Sequence, residues 1–298
     1  MAKLNILDIG RRSYAPTLEL QQTLHRDVAA AGEELAYLVL VEHEPPVITL
    51  GRSARDEHVL ATRQELQRAG IEVHESRRGG DVTYHAPGQL VGYPIIRLDL
   101  HGRDVRLYLR GLEEVLIRAL GDFNIEGRRR EGFTGVWVGD EKVAAIGVAV
   151  RKWVTYHGFA LNVCPDMAGF EKIIPCGIEG PGVTSMERLL AGPISVDQVK
   201  PAVIKYAVEI FGFEGTVEAN VEIRPAQLEK LAAVAEEAAS GRVTGGPRSP
   251  AARRAAPFDR LRRGPLPEHK RMLRPRHGHV PDTRTRLHAR VPLLRDPD

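Results

Sequence analysis

The stretch from residue 133 to residue 163 constrains the fold most strongly. Apolar and polar residues alternate along it, and the alternation is interrupted at Gly139-Asp140, a pair that is typical of a tight turn. We therefore predict that TGVWV turns back into KVAAIGVAV as an antiparallel hairpin and that WVTYHGFALNV adds a third strand. The chain is expected to fold around a sheet.

Helical and extended segments surround this hairpin. Asp104 can cap a helix, and the apolar residues between Val105 and Leu120 form one face of it before Gly121 ends it. Strands are predicted over 3–8, 36–50, 72–76 and 89–98, and helices over 16–31, 104–121, 196–212 and 225–239. Mixed strands with helices segregated around them predict an α+β domain with a mixed sheet and flanking helices.

Composition indicates a globular protein. The chain has 298 residues, of which 43% are hydrophobic, and no apolar run approaches the roughly 20 residues of a membrane helix. The N-terminal MAKLNILDIGRR contains no apolar signal core. Cys164 and Cys176 are the only cysteines, so we expect reduced thiols and a cytoplasmic location.

The positive charge is concentrated at the C-terminus. Residues 241–298 hold 15 Lys and Arg against 5 Asp and Glu, which leaves 27 against 34 in residues 1–240. A protein that binds the phosphate backbone needs a basic body, and this body is acidic. Nucleic-acid binding is therefore disfavoured.

The most informative motif is RGGDVTYHAPGQL at residues 78–90. Gly79, Gly80 and Gly88 permit positive φ and a close approach of the backbone to a ligand. We expect a ligand to bind there. Arg78, Tyr84 and His85 are the polar candidates in this motif, and His85 either pins the turn or positions a substrate, of which we favour the second.

Cys176 and Lys142 are the candidates for covalent chemistry. Cys176 lies on a bend in Pro-Cys-Gly, although most free cysteines are buried small hydrophobes. A neighbouring ammonium lowers the pKa of a thiol and makes it nucleophilic. Lys142 follows the hairpin turn, where a solvated charge is common, but the next residues are small and leave room for a thioester.

Three blocks of sequence resemble the octanoyltransferases, the lipoyl(octanoyl) transferases that begin protein lipoylation. They are RGGDVTYHAPGQLVGYPIIRL, GDEKVAAIGVAVRKWVTYHGFALNV and FEKIIPCGIEGPGVTSMERLL, and they occur in the order of the family. The resemblance covers about residues 4–215. It implies the fold of biotin and lipoate protein ligases, and it matches Cys176 to the acyl-accepting cysteine and Lys142 to the catalytic lysine.

The resemblance also implies which residues bind the substrate. His157 is either structural or functional, and Cys164 is expected to serve packing. The implied substrate-binding residues are Arg78, Gly79, Gly80, Asp81, Val82, Thr83, Tyr84 and His85, then Ala145, Ile146 and Gly147, and finally Gly158, Phe159 and Ala160.

The implied activity is transfer of an octanoyl group from octanoyl-acyl-carrier protein to a lysine of a lipoyl domain through an acyl-cysteine. The implied acceptors are the lipoyl domains of 2-oxoacid dehydrogenases and the H protein of glycine cleavage. No cofactor, metal or membrane is expected, and a monomer is the simplest assembly. The alternative is an ATP-dependent lipoate-protein ligase, which activates its acid with ATP and has no use for a nucleophile such as Cys176. A third hypothesis is a non-catalytic module that binds the carrier protein or the lipoyl domain.

Residues 1–240 are the predicted catalytic domain, and residues 241–298 are expected to be a disordered basic tail. The tail holds 9 of the 20 prolines. Codon degeneracy permits cysteines in the +1 frame at the positions of Leu261, Leu266, Met272, Leu287, Val291 and Leu294. Because that shifted peptide resembles the start of lipoyl synthase, we predict that the tail is an out-of-frame translation of a lipoyl synthase gene.

Overall fold

The computed structural model of the chain describes residues 3–31, 35–100, 102–175 and 182–219. Cys176, the predicted helix 225–239 and the predicted tail 241–298 lie outside these residues. The described strands are β1 (Leu4–Arg12), β2 (Ala36–His43), β3 (Val47–Leu50), β4 (Glu72–Glu75), β5 (Val82–His85), β6 (Gln89–Ile95), β7 (Arg128–Arg130), β8 (Phe133–Val138), β9 (Glu141–Arg151), β10 (Val154–Asn162) and β11 (Thr216–Glu218). The described α-helices are α1 (Tyr14–Ala30), α2 (Arg63–Arg68), α3 (Val105–Gly121), α4 (Met186–Leu190) and α5 (Val196–Phe211).

The larger sheet has eight strands in the order β11-β1-β2-β6-β10-β9-β8-β7. β1 pairs in parallel with β2 and β11, and the other neighbours are antiparallel. The predicted hairpin is confirmed as β8 and β9, with Gly139 at φ +58° in the turn, and β10 follows as the third strand. In β10, Gly158 lies opposite Gly147 of β9.

Helices cover both faces of this sheet because its strands alternate apolar side chains between them. Leu112 of α3 and Val203 of α5 pack into one core with Leu38 and Leu90 of the sheet. Val28 of α1 packs into the other core, with Val39, Val91 and Ala160. The Asp104 carboxylate accepts hydrogen bonds from the backbone N–H groups of Arg106 and Leu107, so the predicted cap of α3 is present.

A second sheet has the order β4-β3-β5 and its own small core, which includes Ile48, Leu66 and Tyr84. It arises because the predicted strand 36–50 is in fact two strands. Pro45 and Pro46 interrupt it, and proline cannot donate to a sheet ladder. β2 therefore ends at His43, and β3 joins the second sheet.

The predicted α+β class with a mixed sheet and flanking helices is confirmed. Among the described residues, no helix has the length and apolar character needed to cross a membrane.

Candidate active site

A narrow cavity of about 50 Å³ is lined by residues of both sheets. Twelve of the predicted substrate-binding residues lie around it: Arg78, Gly79, Gly80, Asp81, Thr83, His85, Ala145, Ile146, Gly147, Gly158, Phe159 and Ala160. Among the described residues, Tyr14, Thr49, Val91, Tyr93 and His157 also line it. The small volume means that only a slender group enters without movement of the walls.

Val82 and Tyr84 are placed elsewhere. Successive residues of a strand point to opposite sides, and in β5 these two residues belong to the core of the second sheet. The Tyr84 ring packs edge-on against Phe170 with 5.3 Å between ring centroids. Burial and the nearby Asp166 raise the pKa of Tyr84 to about 12. We therefore assign these two side chains to packing, whereas Thr83 and His85 line the cavity.

Arg78 joins the motif to the second sheet. Its guanidinium is buried and donates to the Thr49 side-chain oxygen at 3.0 and 2.9 Å and to the Thr49 carbonyl at 2.6 Å. The backbone of Gly79 donates to the Val148 carbonyl of β9 at 2.8 Å. A Cβ on Gly147 would lie 3.1 Å from the Gly79 carbonyl oxygen, so the absence of a side chain admits this close approach.

The Asp81 carboxylate is occupied by hydrogen bonds within the protein. It accepts a hydrogen bond from the backbone N–H of Val82 at 2.8 Å, and it lies 2.5 Å from Nδ1 of His58. The His58 carbonyl in turn accepts from the backbone of Ile174 at 2.8 Å. His58 therefore connects the motif to the segment that leads to Cys176.

A chain of side-chain amides orients His85. The Gln89 amide nitrogen donates to the Tyr84 carbonyl at 3.1 Å and to the Asn162 side-chain oxygen at 2.9 Å. The Gln89 oxygen is thus the atom that faces His85 Nδ1, at 3.2 Å. Burial lowers the pKa of His85 well below its usual value, so the ring is neutral and Nδ1 carries its proton. Nε2 then keeps a lone pair, and His85 lines the cavity.

His43 lies behind His85, with 5.7 Å between the ring centroids. The Arg12 carbonyl accepts from Nδ1 at 3.1 Å, and the Tyr93 hydroxyl donates to Nε2 at 2.6 Å. Burial lowers the pKa of His43 to about 4 and raises the pKa of Tyr93 well above 10. Both groups are neutral at pH 7 and hold the inner wall in place.

His157 has an unusual backbone. Its φ is +58°, although it is not glycine, and its backbone N–H donates to the Gln21 side-chain oxygen at 2.9 Å. Its Nε2 is buried and has no hydrogen-bond partner among the described residues. Burial and, less strongly, Arg78 lower its pKa to about 3. It therefore contributes a neutral imidazole to the cavity wall.

Lys142 is only 6% exposed, and its backbone pairs with residues 182 and 184. Its backbone N–H donates to the Gly182 carbonyl and its carbonyl accepts from the Thr184 N–H, both at 3.0 Å. The Thr184 carbonyl accepts from Asn162 at 2.9 Å, so the lysine and the amides that orient His85 share one network. Among the described residues that line the cavity, Lys142 does not appear.

Cys164 is half-buried and unpaired with another cysteine among the described residues. Burial raises the pKa of its thiol, and the carboxylates of Glu187 and Glu42 raise it further. This environment opposes thiolate formation. The expected packing role fits these surroundings.

Sequence reasoning did not identify Tyr14, Thr49, Val91 and Tyr93 as wall residues. Val91 and Tyr93 follow Gln89 at every second position of β6, and that alternation was the available signal. Tyr14 and Thr49 reach the cavity only through the packing of α1 and the second sheet.

Comparisons with known proteins agree with one another. Residues 13–208 match the family model described as "Lipoyl protein ligase A/B catalytic domain". The octanoyltransferase of Syntrophotalea carbinolica is 53% identical over 67% of this chain and 91% of its own length, and that of Gloeobacter violaceus is 44% identical over 76% and 99%.

Solved structures of low identity share the fold. A crystal structure of lipoate-protein ligase A bound with ATP superimposes with a TM-score of 0.60 at 17% identity and covers 78% of this chain and 93% of that one. This likeness confirms the expected lipoate-ligase-like fold, and the family model and the curated relatives confirm the resemblance that the three sequence blocks indicate. The chain therefore belongs to the lipoyl protein ligase A/B catalytic domain family and, within it, to the octanoyltransferases, acyltransferases that transfer octanoyl groups in protein lipoylation.

Proposed function

We propose that this octanoyltransferase works through an acyl-enzyme on Cys176, with Lys142 as its acid and base. The observation that carries the proposal is the backbone pairing of Lys142 with Gly182 and Thr184, which follow closely after Cys176 in the chain. On the other side, Ile174 is bonded to His58 two residues before the cysteine. Only eight positions separate Ile174 from Gly182, and this short connection supports the proposal that the Cys176 thiol comes within reach of the Lys142 ammonium.

The first half-reaction exchanges one thioester for another. The Cys176 thiolate attacks the octanoyl carbonyl of the donor, the bond from that carbonyl to the donor sulfur breaks, and the Lys142 ammonium protonates the departing thiolate. A positive charge near Cys176 favours the thiolate at neutral pH. Lys142 is then neutral.

The second half-reaction forms the amide. The lysine amine of the acceptor attacks the acyl-cysteine, neutral Lys142 takes the proton that the amine loses, and the Cys176 thiolate leaves. The thioester conserves the activation of the acyl group, so this route uses no ATP. The eight-carbon tail is larger than the cavity of about 50 Å³, so it enters as the walls move apart, and each buried CH₂ then contributes about 0.8 kcal/mol.

We infer that the donor is octanoyl-acyl-carrier protein and that the acceptors are lipoyl domains of 2-oxoacid dehydrogenases and the H protein of glycine cleavage. Family membership and the cavity, which is lined by Ala145, Ile146 and Gly147 of the strand that also carries Lys142, support these partners. The presence of only two cysteines in 298 residues supports action in a reducing compartment such as the cytoplasm.

The test is a reconstitution without nucleotide. The protein is incubated with octanoyl-acyl-carrier protein and an apo lipoyl domain, and intact masses of the enzyme and the domain are followed. We expect an octanoyl adduct on Cys176 that precedes the adduct on the lipoyl domain. Cys176→Ser should lose nearly all transfer, since an unactivated hydroxyl is a much weaker nucleophile.

Two results would contradict the proposal. Transfer that requires ATP and proceeds with Cys176→Ala would favour the lipoate-protein ligase alternative, and binding without any acyl adduct would favour the non-catalytic module.

We also propose that residues 1–240 suffice for transfer and that residues 241–298 are an out-of-frame translation. Truncation after residue 240 is expected to leave the transfer rate unchanged. The DNA decides the origin of the tail, because cysteine codons must be present in its +1 frame.

A further inference from the structure

Two cationic side chains lie close to the Trp137 ring. The Lys142 Nζ lies 4.8 Å from the ring centroid, and the Arg130 guanidinium carbon lies 4.9 Å from it. Trp137 is 1% exposed, and Lys142 is its partner across β8 and β9. A cation–π contact gains strength where water is excluded, so this buried ring attracts the lysine ammonium more than a surface ring would.

No other described polar contact explains the placement of the ring. The Trp137 Nε1 is buried without a hydrogen-bond partner among the described residues, and the same is true of one terminal nitrogen of Arg130. A buried indole N–H usually finds an acceptor. We therefore attribute the orientation of this ring to the two cations near it, since its N–H makes no hydrogen bond to a described residue.

The backbone of Lys142 is fixed, so its side-chain torsions decide where the ammonium lies. Both backbone polar groups are bonded to Gly182 and Thr184. The aliphatic stem runs past Gly135, where a Cβ would lie 3.4 Å from Cε. The stem is confined in this way, and the contact with the Trp137 ring restricts the position of Nζ further.

We propose that Trp137 is a positioning residue that fixes the Lys142 ammonium, the group to which the proposed function assigns the activation of Cys176. The inference rests on the proposed function. Trp137 touches no reacting atom in this scheme, and its effect passes through Lys142 alone.

The test measures the reactivity of Cys176 directly. Wild type, Trp137→Leu and Trp137→Phe are alkylated with iodoacetamide from pH 6 to pH 10, and the peptide containing Cys176 is quantified by mass spectrometry. Trp137→Leu should lower the rate at pH 7 by about threefold to thirtyfold, the range expected for a buried cation–π contact. Its profile should move to higher pH, and Trp137→Phe should restore most of the rate.

Two controls separate positioning from folding. Trp153→Leu removes the other tryptophan, which is 39% exposed and has Arg103 at 5.7 Å, and it should leave Cys176 reactivity unchanged. In a Lys142→Met background, Trp137→Leu should cause no further loss. Thermal melts of all variants give the folded fraction at the assay temperature.

Wild-type reactivity in Trp137→Leu would overturn the inference, and so would an equal loss in the Lys142→Met background or a failure of Trp137→Phe to restore the rate. The proposed function is checked separately by the octanoyl adduct on wild-type Cys176. If that adduct forms and the variants behave alike, only the role of Trp137 is wrong.

Discussion

The side-chain oxygen of Gln89 lies 3.2 Å from Nδ1 of His85, and both donor positions of the Gln89 amide are directed at other oxygens. The amide therefore cannot turn round without losing two hydrogen bonds. It assigns the proton of the neutral His85 ring to Nδ1 and leaves Nε2 as an acceptor at the cavity wall. Gln89, which does not line the cavity among the described residues, thus orients His85, which does.

Gln89→Leu should lower the free energy of unfolding by about 1–3 kcal/mol, the usual cost of an unpaired buried polar group, and it should slow octanoyl transfer because the His85 ring at the cavity wall is no longer held in one orientation. The ¹⁵N shifts of the His85 ring should show a mixture of tautomers. Gln67→Leu, on the exposed side of α2, is the matched control, and it should change neither the transfer rate nor the ¹⁵N shifts of the His85 ring. A single tautomer with slowed transfer in Gln89→Leu would mean that Gln89 serves stability alone.

Sequence periodicity predicts the hairpin β8–β9 and helices α1, α3 and α5 because each has a long, regular apolar pattern. It does not predict the second sheet, since nothing local distinguishes Val47–Leu50 from a continuation of β2 except Pro45 and Pro46. The motif at residues 78–90 indicates a ligand site, but it does not show which side chains face the ligand. Only the pairing of β5 in the second sheet directs His85 to the cavity and Tyr84 to the core.

The wall residues contributed by distant elements have no sequence signal of their own. Thr49 reaches Arg78 across the second sheet, and His43 reaches Tyr93 across 50 positions of the chain. The contact between Trp137 and Lys142 depends on the register of β8 and β9, in which a bulge lies between Val136 and Trp137. Pairing register is a tertiary property that the hairpin pattern leaves open.

Lys142→Arg should separate the two roles proposed for Lys142. Arginine keeps the positive charge that favours the Cys176 thiolate, but it does not release a proton in a protein. We expect the octanoyl adduct still to form on Cys176, more slowly than in the wild type, because a thiolate can leave without being protonated. Its transfer to the lipoyl domain should be slowed on the order of 100-fold, within the usual range for loss of a general base. Rapid mixing with mass detection measures each half-reaction. Wild-type rates in both would show that Lys142 is not the base.

Stability should fall as the pH falls from about 6.5 towards 4. The pKa of His43 is about 4 in the folded protein, so in this range the unfolded chain binds a proton that the folded chain excludes. The stabilisation is complete above pH 6.5, and its loss is on the order of 1–3 kcal/mol. Urea unfolding at pH 7.5 and pH 4.5 measures this loss together with those from His85 and His157, whose pKa values are also lowered, and comparison with His43→Gln isolates the share of His43. His43→Gln should reduce this difference, and an unchanged difference would contradict the assignment.

Cys176 should react with iodoacetamide faster than Cys164 at pH 7. Burial and two carboxylates raise the pKa of the Cys164 thiol, whereas Lys142 is proposed to lower that of Cys176. Peptide-resolved labelling with time gives both rates in one sample. Lys142→Met should bring the Cys176 rate towards that of Cys164. Equal and slow labelling of both thiols in the wild-type protein would indicate two structural cysteines.

Gly158→Ala should destabilise the protein by about 1–3 kcal/mol, the usual cost of overpacking. A Cβ on Gly158 would lie 2.1 Å from the carbonyl oxygen of Gly92 and 2.7 Å from Cδ of Pro94, so β10 must move away from β6. The cavity wall between His157 and Ala160 moves with it, and transfer should slow.

Gly121→Ala is the matched control for this substitution. Gly121 ends α3, a Cβ there meets nothing within 4 Å, and its φ is not positive, so alanine should be neutral or stabilise by up to about 1 kcal/mol. Urea unfolding compares the two variants, and the transfer assay follows both. Equal stability of Gly158→Ala and Gly121→Ala would show that β6 and β10 tolerate a side chain between them. The close approach of these two strands would then not explain the glycine at position 158.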